Sequence, residues 1–371
     1  MHSFMLPGDR TMFLSKKWDT AYIAILTIVM CLWVIGTNIW LTRIETVREE
    51  THEKRLVADT VPPVMAAKDS VPAVIAGVYV ERIYTMSIVE SAWNVDFFLW
   101  FEGKGIDSTL FDEIRTVNGK IEGKKVLEYQ KYTDTAGDTV VYLRALVNAR
   151  ITKFFSLDDF PTDEHLLTIR IEHIRKDYTR FIFIADTANT GVSSRVRVNG
   201  YRVNHKDVQI VTRLHGYQHF FGKNAIDAEK RGLHDFVQLC VGIPIRRHQQ
   251  YFYFFKLFLG MFAAVFLSLL ALWMSIDDNN RIALHVGSFF GGVAACYVTS
   301  GLLPQIGTVT IADLLNMFSI SLISFSLLHS TICYLICMKN GVTGLQKRLD
   351  KKVFLVLSAG YAVTAIVFIF R

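Results

Sequence analysis

Residues 257–276 read LFLGMFAAVFLSLLALWMSI, and residues 282–312, beyond the polar break DDNNR, read IALHVGSFFGGVAACYVTSGLLPQIGTVTIA. Neither run contains Asp, Glu, Lys or Arg. A helix needs roughly 20 apolar residues to cross a bilayer. The first run is therefore one span, and the second is a longer one with a natural break at Gly301–Pro304. Downstream, Leu314–Met338 carries a single histidine, His329, and Val353–Phe370 ends one residue before Arg371. Upstream, Ala21–Leu41 is a fifth uncharged run, and everything from about Arg43 to Lys256 is polar enough for one soluble domain.

Composition agrees. Of 371 residues 51% are hydrophobic and 20% charged, with a mean hydropathy of +0.29, which excludes a wholly soluble protein, a disordered chain and a collagen-like fibre. A net charge of +6 without any run of like charge argues against a nucleic-acid partner. Of five cysteines, Cys31, Cys296, Cys333 and Cys337 lie in apolar runs, which leaves Cys240 alone in the soluble part. An internal disulfide or a zinc framework is not expected there, and neither a metal nor a cofactor is expected anywhere.

Lys and Arg in short loops set orientation. The connection Gly301–Asp313 has no basic residue, whereas Lys339–Lys352 holds Lys339, Lys347, Arg348, Lys351 and Lys352. The second is expected inside and the first outside. Counting back, the soluble domain and the C-terminus lie outside and the N-terminus inside, in agreement with Arg10, Lys16 and Lys17. Ala21–Leu41 reads as a retained anchor, because its apolar run is long and Thr42-Arg43-Ile44 offers no cleavage site; a cleaved signal peptide is the alternative. The expected layout is a cytoplasmic segment 1–20, an anchor 21–42, a charged linker or helix 43–70, a periplasmic or extracellular domain 71–248 and a membrane domain 249–371. The localisation is a multi-pass protein of the cell's inner (plasma) membrane.

Between the anchor and the last spans, strand signals recur at Val74–Val80, Ser91–Phe101, Thr139–Ala149, Leu166–His173, Arg180–Ala185, Ser193–Val198, Gln209–Phe220 and Phe236–Ile243. These are β-branched and aromatic stretches separated by Gly, Asn and Asp turns. They predict an antiparallel β-sandwich. An enzyme is not expected: the chain has no nucleophile elbow, phosphate loop, His-x-x-x-His helix pair or cluster of catalytic carboxylates. His215 and His219 fall in a strand-like segment, and no inverted repeat suggests a transporter.

The stretch from Phe154 to Asp163 (FFSLDDFPTD), followed by Leu166-Leu167-Thr168-Ile169, resembles the signature loop of pentameric ligand-gated ion channels, the Cys-loop receptor superfamily. Phe160, Pro161 and Asp163 match its Phe-Pro-x-Asp core, while Lys153 and Leu167 stand near the places where animal members have bridging cysteines. The chain thus looks like a prokaryotic-type member without the bridge. Val78–Ile83, Val95–Trp100, Arg246-Arg247 before Tyr251-Phe252, Trp273, Asn280-Arg281 and Leu303-Pro304 follow in the family's order. Departures are Glu102-Gly103-Lys104 in place of Trp-x-Asp, Gly260 for an early helix proline, Asn280 for an acidic residue, and the N-terminal span itself.

The resemblance implies a homopentamer with a sandwich outside, a four-helix membrane domain and a ligand- or proton-gated pore. A water-facing stripe at helical spacing would be Ala283, Gly287, Phe290, Ala294, Val298 and Gly301. Five Phe290 rings would form a dewetting gate. A lipid- or helix-facing aromatic is the alternative, with Phe289 able to take its place. Gly287 and Gly291 suit close helix packing. His285 and His329 are either titrating groups or interhelical hydrogen-bond partners. Asp277, Asp278 and Asn280 stand at the inner mouth, where the acids either favour cations or cap the helix, and Arg281 would oppose their field if it faced the axis.

By family position the agonist site would draw on Tyr129, Tyr132, Tyr178, Tyr217, Phe220 and Phe221, the last three beside a capping hairpin near Gly222–Gly232. Cation–π attraction would serve an amine. Core packing is the plainer role for each ring. Coupling would run through Phe160, Pro161 and Asp163 pressing on the Gly301–Thr308 connection with its Pro304, with Arg246 or Arg247 beneath. The expected partners are other copies of the chain, the lipid bilayer and an unidentified small-molecule or proton agonist. The competing expectation is a non-conducting receptor of the same shape whose N-terminal helix passes a signal to a cytoplasmic or membrane partner.

Overall fold

The computed structural model describes residues 21–33, 35–36, 39, 73–135, 137–217, 235–275, 278–302, 309–340 and 343–369. They fall into two compact units. One holds the strands up to Ser156 and from Asp163 to His248; the other holds the helices together with Leu157–Thr162.

In the first unit eleven strands form two sheets around one core. Strand β1 spans Ala73–Ser87, β2 Ala92–Lys104, β3 Ile114–Thr116, β4 Gly119–Thr133, β5 Thr139–Thr152 and β6 Glu164–His173. Next come β7 (Ile182–Ala185), β8 (Gly191–Val192), β9 (Tyr201–Val203), β10 (Gln209–Gly216) and β11 (Asp235–Arg247). One sheet runs β4-β5-β2-β1-β7 with β8 also on β1, and the other runs β10-β11-β6-β3 with β9 on β11. Alternation explains the layering. Trp93, Val95, Phe97, Leu99 and Phe101 of β2 and Val141, Leu143, Ala145, Val147, Ala149 and Ile151 of β5 all point into the core. Full burial of side chains of this size contributes about 1.5–3 kcal/mol each for the larger ones.

The sandwich-like architecture is as expected, with corrections. It is not wholly antiparallel: β7 and β8 pair parallel with β1. The chain reaches them from β6 in the opposite sheet, and such a crossover can return a strand in either direction. Ser193–Val198 is not a strand, and only Val198 makes an isolated bridge, to Tyr201. The long β4 carries no apolar alternation. It is an edge strand rich in exposed Lys and Glu, a composition that discourages pairing with other chains.

In the second unit, α1 is Ala21–Trp33, α2 Gln250–Ala271, α3 Asn279–Gly301, α4 Ile311–Asn340 and α5 Thr343–Ile369. The last four are long and apolar enough to cross a membrane; α1 by itself is shorter. Helix α2 begins earlier than the apolar run suggests. Phe254 and Phe258, one turn apart, are both buried with rings 4.8 Å apart, so the aromatic stretch before Lys256 already packs as helix. Helix α5 likewise absorbs most of the predicted basic loop. Gln346, Lys347, Arg348, Lys351 and Lys352 are good helix formers, and only residues 341–342 separate α4 from α5.

Helix α1 lies against α4 and α5. Leu26 is buried, Trp33 stacks on Phe318 at 5.2 Å, and Tyr22 stacks on His329 at 5.8 Å. Gly360 of α5 allows the approach, since a Cβ there would meet Met30 Cε at 2.1 Å. An apolar crevice of about 260 Å³ remains between α1 and α4, bounded by Leu26, Trp33, Phe318 and Phe325. A Cβ at Gly360 would also stand 3.7 Å from Met30 Cβ, within disulfide range. The double variant Met30→Cys, Gly360→Cys should therefore cross-link on mild oxidation. The readout is loss of maleimide-reactive thiols at both positions, and two thiols that stay fully reactive would refute this docking.

Candidate functional site

Helix α3 has two faces of different character. Arg281, His285, Ser288, Gly292 and Thr299 point into the bundle, and Gly292 is a close-approach point with Ile323. On the opposite side all six stripe residues (Ala283, Gly287, Phe290, Ala294, Val298 and Gly301) are uncovered within the chain. Phe290 is 66% exposed while Phe289 packs partly into the helical core. A Cβ on Gly287 would meet no atom of this chain, so Gly292 rather than Gly287 is the intrachain packing glycine. Asp278 is the N-cap of α3, its carboxylate accepting from the Asn280 N–H at 2.9 Å. Asn280 is exposed, and Asp277 lies outside the described residues, as do Pro304, Phe220 and Phe221.

Arg281 is turned away from that uncovered face. Its guanidinium donates to Asp350 in fork geometry, at 2.8 and 3.0 Å, and to Ser330 Oγ at 3.0 and 3.2 Å. Asp350 also meets His329 Nε2 at 2.9 Å, Ser330 meets His285 Nε2 at 2.8 Å, and His285 Nδ1 meets Ser268 at 3.1 Å. The Tyr22 hydroxyl lies 3.2 Å from His329 Nδ1. One buried network thus ties all five helices together, and both histidines serve as interhelical partners. It includes Cys333, whose Sγ is 3.7 Å from His329 Nε2 and 3.8 Å from Nδ1. The sulfur is thus about equally far from both ring nitrogens. His329, Cys333 and Asp350 bring one ligand-type atom each within 4.8 Å of one another, a spacing that could hold a metal ion. The sequence did not lead one to expect it, and the carboxylate and imidazole also serve the hydrogen bonds above.

In the strand unit, Asp163 from the Phe-Pro-x-Asp stretch is fully buried. Arg247 donates to it from Nε at 2.8 Å and Nη2 at 3.1 Å, the Tyr201 hydroxyl donates at 2.6 Å, and His165 Nε2 lies at 2.8 Å. Burial alone would raise the carboxyl, but the hydrogen bonds from His165 and Arg247 outweigh it and hold Asp163 well below the usual carboxylate range. Between the two arginine candidates, Arg247 is the buried partner. Arg246 is exposed and faces Glu164 at 3.5 Å. Leu157–Thr162 belongs to the helical unit. There Phe160 is buried edge-on to Tyr253 at 6.3 Å, Asp158 C=O accepts from the Ile311 N–H at 3.0 Å, and Pro161 is also buried. Its described contacts are thus with α2 and the start of α4, because most of the connection expected to receive it lies outside the described residues.

The tyrosines do not assemble into a cage. Tyr129 and Tyr132 stand exposed on edge strand β4, Tyr132 bonded to Glu102. Tyr178 packs on the core. Tyr217 donates to the fully buried Glu172 at 2.9 Å, and the same carboxylate takes Arg115 at 2.7 Å and Gln238 at 2.8 Å. Burial and the Glu172 bond push the Tyr217 phenol up. None of the four described tyrosines is in ring contact with another. Tyr217 does wall a groove of about 640 Å³ with Arg115, Lys120 and Lys124. Glu172, the one acid between Leu166 and His173, was the available signal for this site. Compared with known proteins, the chain matches no family model and no curated sequence.

Breaking a buried ion pair by removing one partner costs about 3–5 kcal/mol. Asp163→Asn should therefore lower the melting temperature of the purified protein clearly, and Tyr201→Phe should do so by less, on the order of 1 kcal/mol. With its folded pKa depressed, Asp163 stabilises fully above the ordinary carboxylate pKa, and that contribution fades as pH falls through the folded value. The gap in melting temperature between parent and Asp163→Asn should hold constant from neutral pH to about pH 4 and narrow only below it; a gap that closes near pH 6 would contradict the assignment. In the helices, Arg281→Met should destabilise, and adding Asp350→Leu should recover part of the loss in detergent melts.

Proposed function

We propose that the protein is a membrane ion channel, assembled as a homopentamer and opened by an agonist acting on the strand unit outside the membrane, of the kind found in the Cys-loop receptor superfamily. The observation that carries this reading is the uncovered face of α3. Residues facing lipid gain from being large and apolar, as Phe252, Phe255, Leu259 and Phe266 of α2 are where the bundle leaves them exposed. The free face of α3 instead offers Ala283, Gly287, Gly291, Ala294, Ser300 and Gly301, set among Val286, Phe290, Tyr297 and Val298. Five such faces around an axis suit a narrow aqueous path with a hydrophobic constriction at Phe290.

Arg281 supports the same reading, since a guanidinium committed to Asp350 does not oppose the field of Asp278, and cations are then the preferred ions. Asp163 and Arg247 hold the signature stretch in place. Tyr217 and its groove are the agonist region best supported by geometry. The docking of α1 against His329 favours a role for that helix within the bundle over a role as a separate transmitter. Reconstitution into liposomes with a cation-flux readout tests the proposal. Phe290→Ala should raise leak flux or agonist sensitivity severalfold by removing the dewetting barrier. A parent with no flux under any ligand or pH, in particles without fivefold symmetry, would overturn it.

A further inference from the structure

We propose that the groove between β1 and residues 193–197 is a binding site for a phosphate group, separate from the channel's proposed agonist region. The stretch Arg195-Val196-Arg197-Val198 alternates polar and apolar like a strand, yet residues 193–197 fold as a turn strapped to β1. The Ser193 N–H donates to Val80 C=O at 2.8 Å and the Val196 N–H to Ser193 C=O at 3.0 Å. Val196 is thereby buried and Arg195 and Arg197 are exposed. Arg197 is fixed further, its Nη1 donating to the carbonyls of Ser194 at 2.7 Å and Val196 at 2.9 Å. Across from them stands Arg82, whose neighbour Tyr84 is occupied by Asp96.

The result is a groove of about 300 Å³ with three guanidiniums along its walls and Ile83 and Val196 beneath. Glu81 is the one acid in its lining and Asp96 stands opposite Arg82 on β2, so three arginines outnumber the acids around them. Among the described residues none of the three guanidiniums forms an ion pair. The groove at Tyr217 differs, because there Glu172 and Asp112 already engage Arg115 and Lys124. Three like charges held together over an apolar floor repel one another until an anion enters. Guanidinium forks match carboxylate and phosphate oxygens. A phosphate monoester brings three acceptor oxygens and about −1.5 to −2 charge at neutral pH, enough to offset the excess of arginine charge.

Phosphate could reach it as a soluble ester or as a lipid headgroup, and the test separates the two. Full-length protein in zwitterionic nanodiscs is titrated calorimetrically with glycerol 3-phosphate, and in parallel nanodiscs containing phosphatidylglycerol are assayed for retained lipid by native mass spectrometry. Saturable binding in either arm is expected. Arg82→Gln and Arg195→Gln, both at exposed positions and checked for unchanged melting temperature, should each weaken it on the order of tenfold, and 0.5 M salt should weaken it further. Retention of phosphatidylglycerol without glycerol phosphate binding assigns the site to a headgroup, and the reverse assigns it to a free ester. No saturable binding in either arm, or binding equal in the variants, overturns the proposal. So does loss of oligomer in the variants without any ligand binding, since the groove would then serve a carboxylate of a second copy.

Discussion

A guanidinium placed at the start of an apolar helix must find acceptors, and in α3 there is one direction in which it finds them. Asp350 and Ser330 accept from Arg281 inside the bundle, and Ser330 in turn reaches His285 one turn along the same helix. That choice fixes the rotation of α3 about its own axis. With residues 281 and 285 inward, 288, 292 and 299 follow on the same side, and the stripe from Ala283 to Gly301 is left outward. The character of the free face is thus a consequence of the ion pair as much as of the residues that compose it. The pair contributes little net stability compared with an apolar replacement; its effect is on register, since no other rotation satisfies the charge.

The strand unit repeats the logic with a different cast. Asp163, Arg247, Tyr201 and His165 come from the residue before β6, from β11, from β9 and from β6, and they bond to one another. Glu172 does the same for β3, β6 and β11 together with Tyr217. These buried carboxylates specify which strands lie side by side, because a slipped register would strand a buried charge.

How much of this was readable in the chain depends on range. The four long helices were legible because a bilayer span is a long, uninterrupted apolar signal, and strands such as β2 and β5 because their period-2 alternation is strong. Strand β4 was not, because an edge strand with lysines on both faces has no periodicity to detect. Ser193–Val198 misled in the opposite sense, since its alternation is real but its backbone bonds go to turns and to Val80. The stripe on α3 followed from helical spacing alone. Its partners did not: Asp350 lay in what reads as a basic loop, and nothing local distinguishes Arg247 from Arg246 until β11 is paired in register with β6 and β9. Likewise, each tyrosine was visible as an aromatic, but its hydroxyl partner is a long-range fact.

The link between Arg281 and Asp350 has a bearing on how the chain is made. The two residues are 69 positions apart, and Ser330 is 49 from Arg281. During synthesis the arginine therefore leaves the ribosome well before either acceptor exists, and α3 enters the bilayer carrying an unneutralised cation that must reach for the headgroups in the meantime. Closure of the bundle waits for the start of α5, so the hairpin of α4 and α5 is also the one that releases α3 to its final orientation.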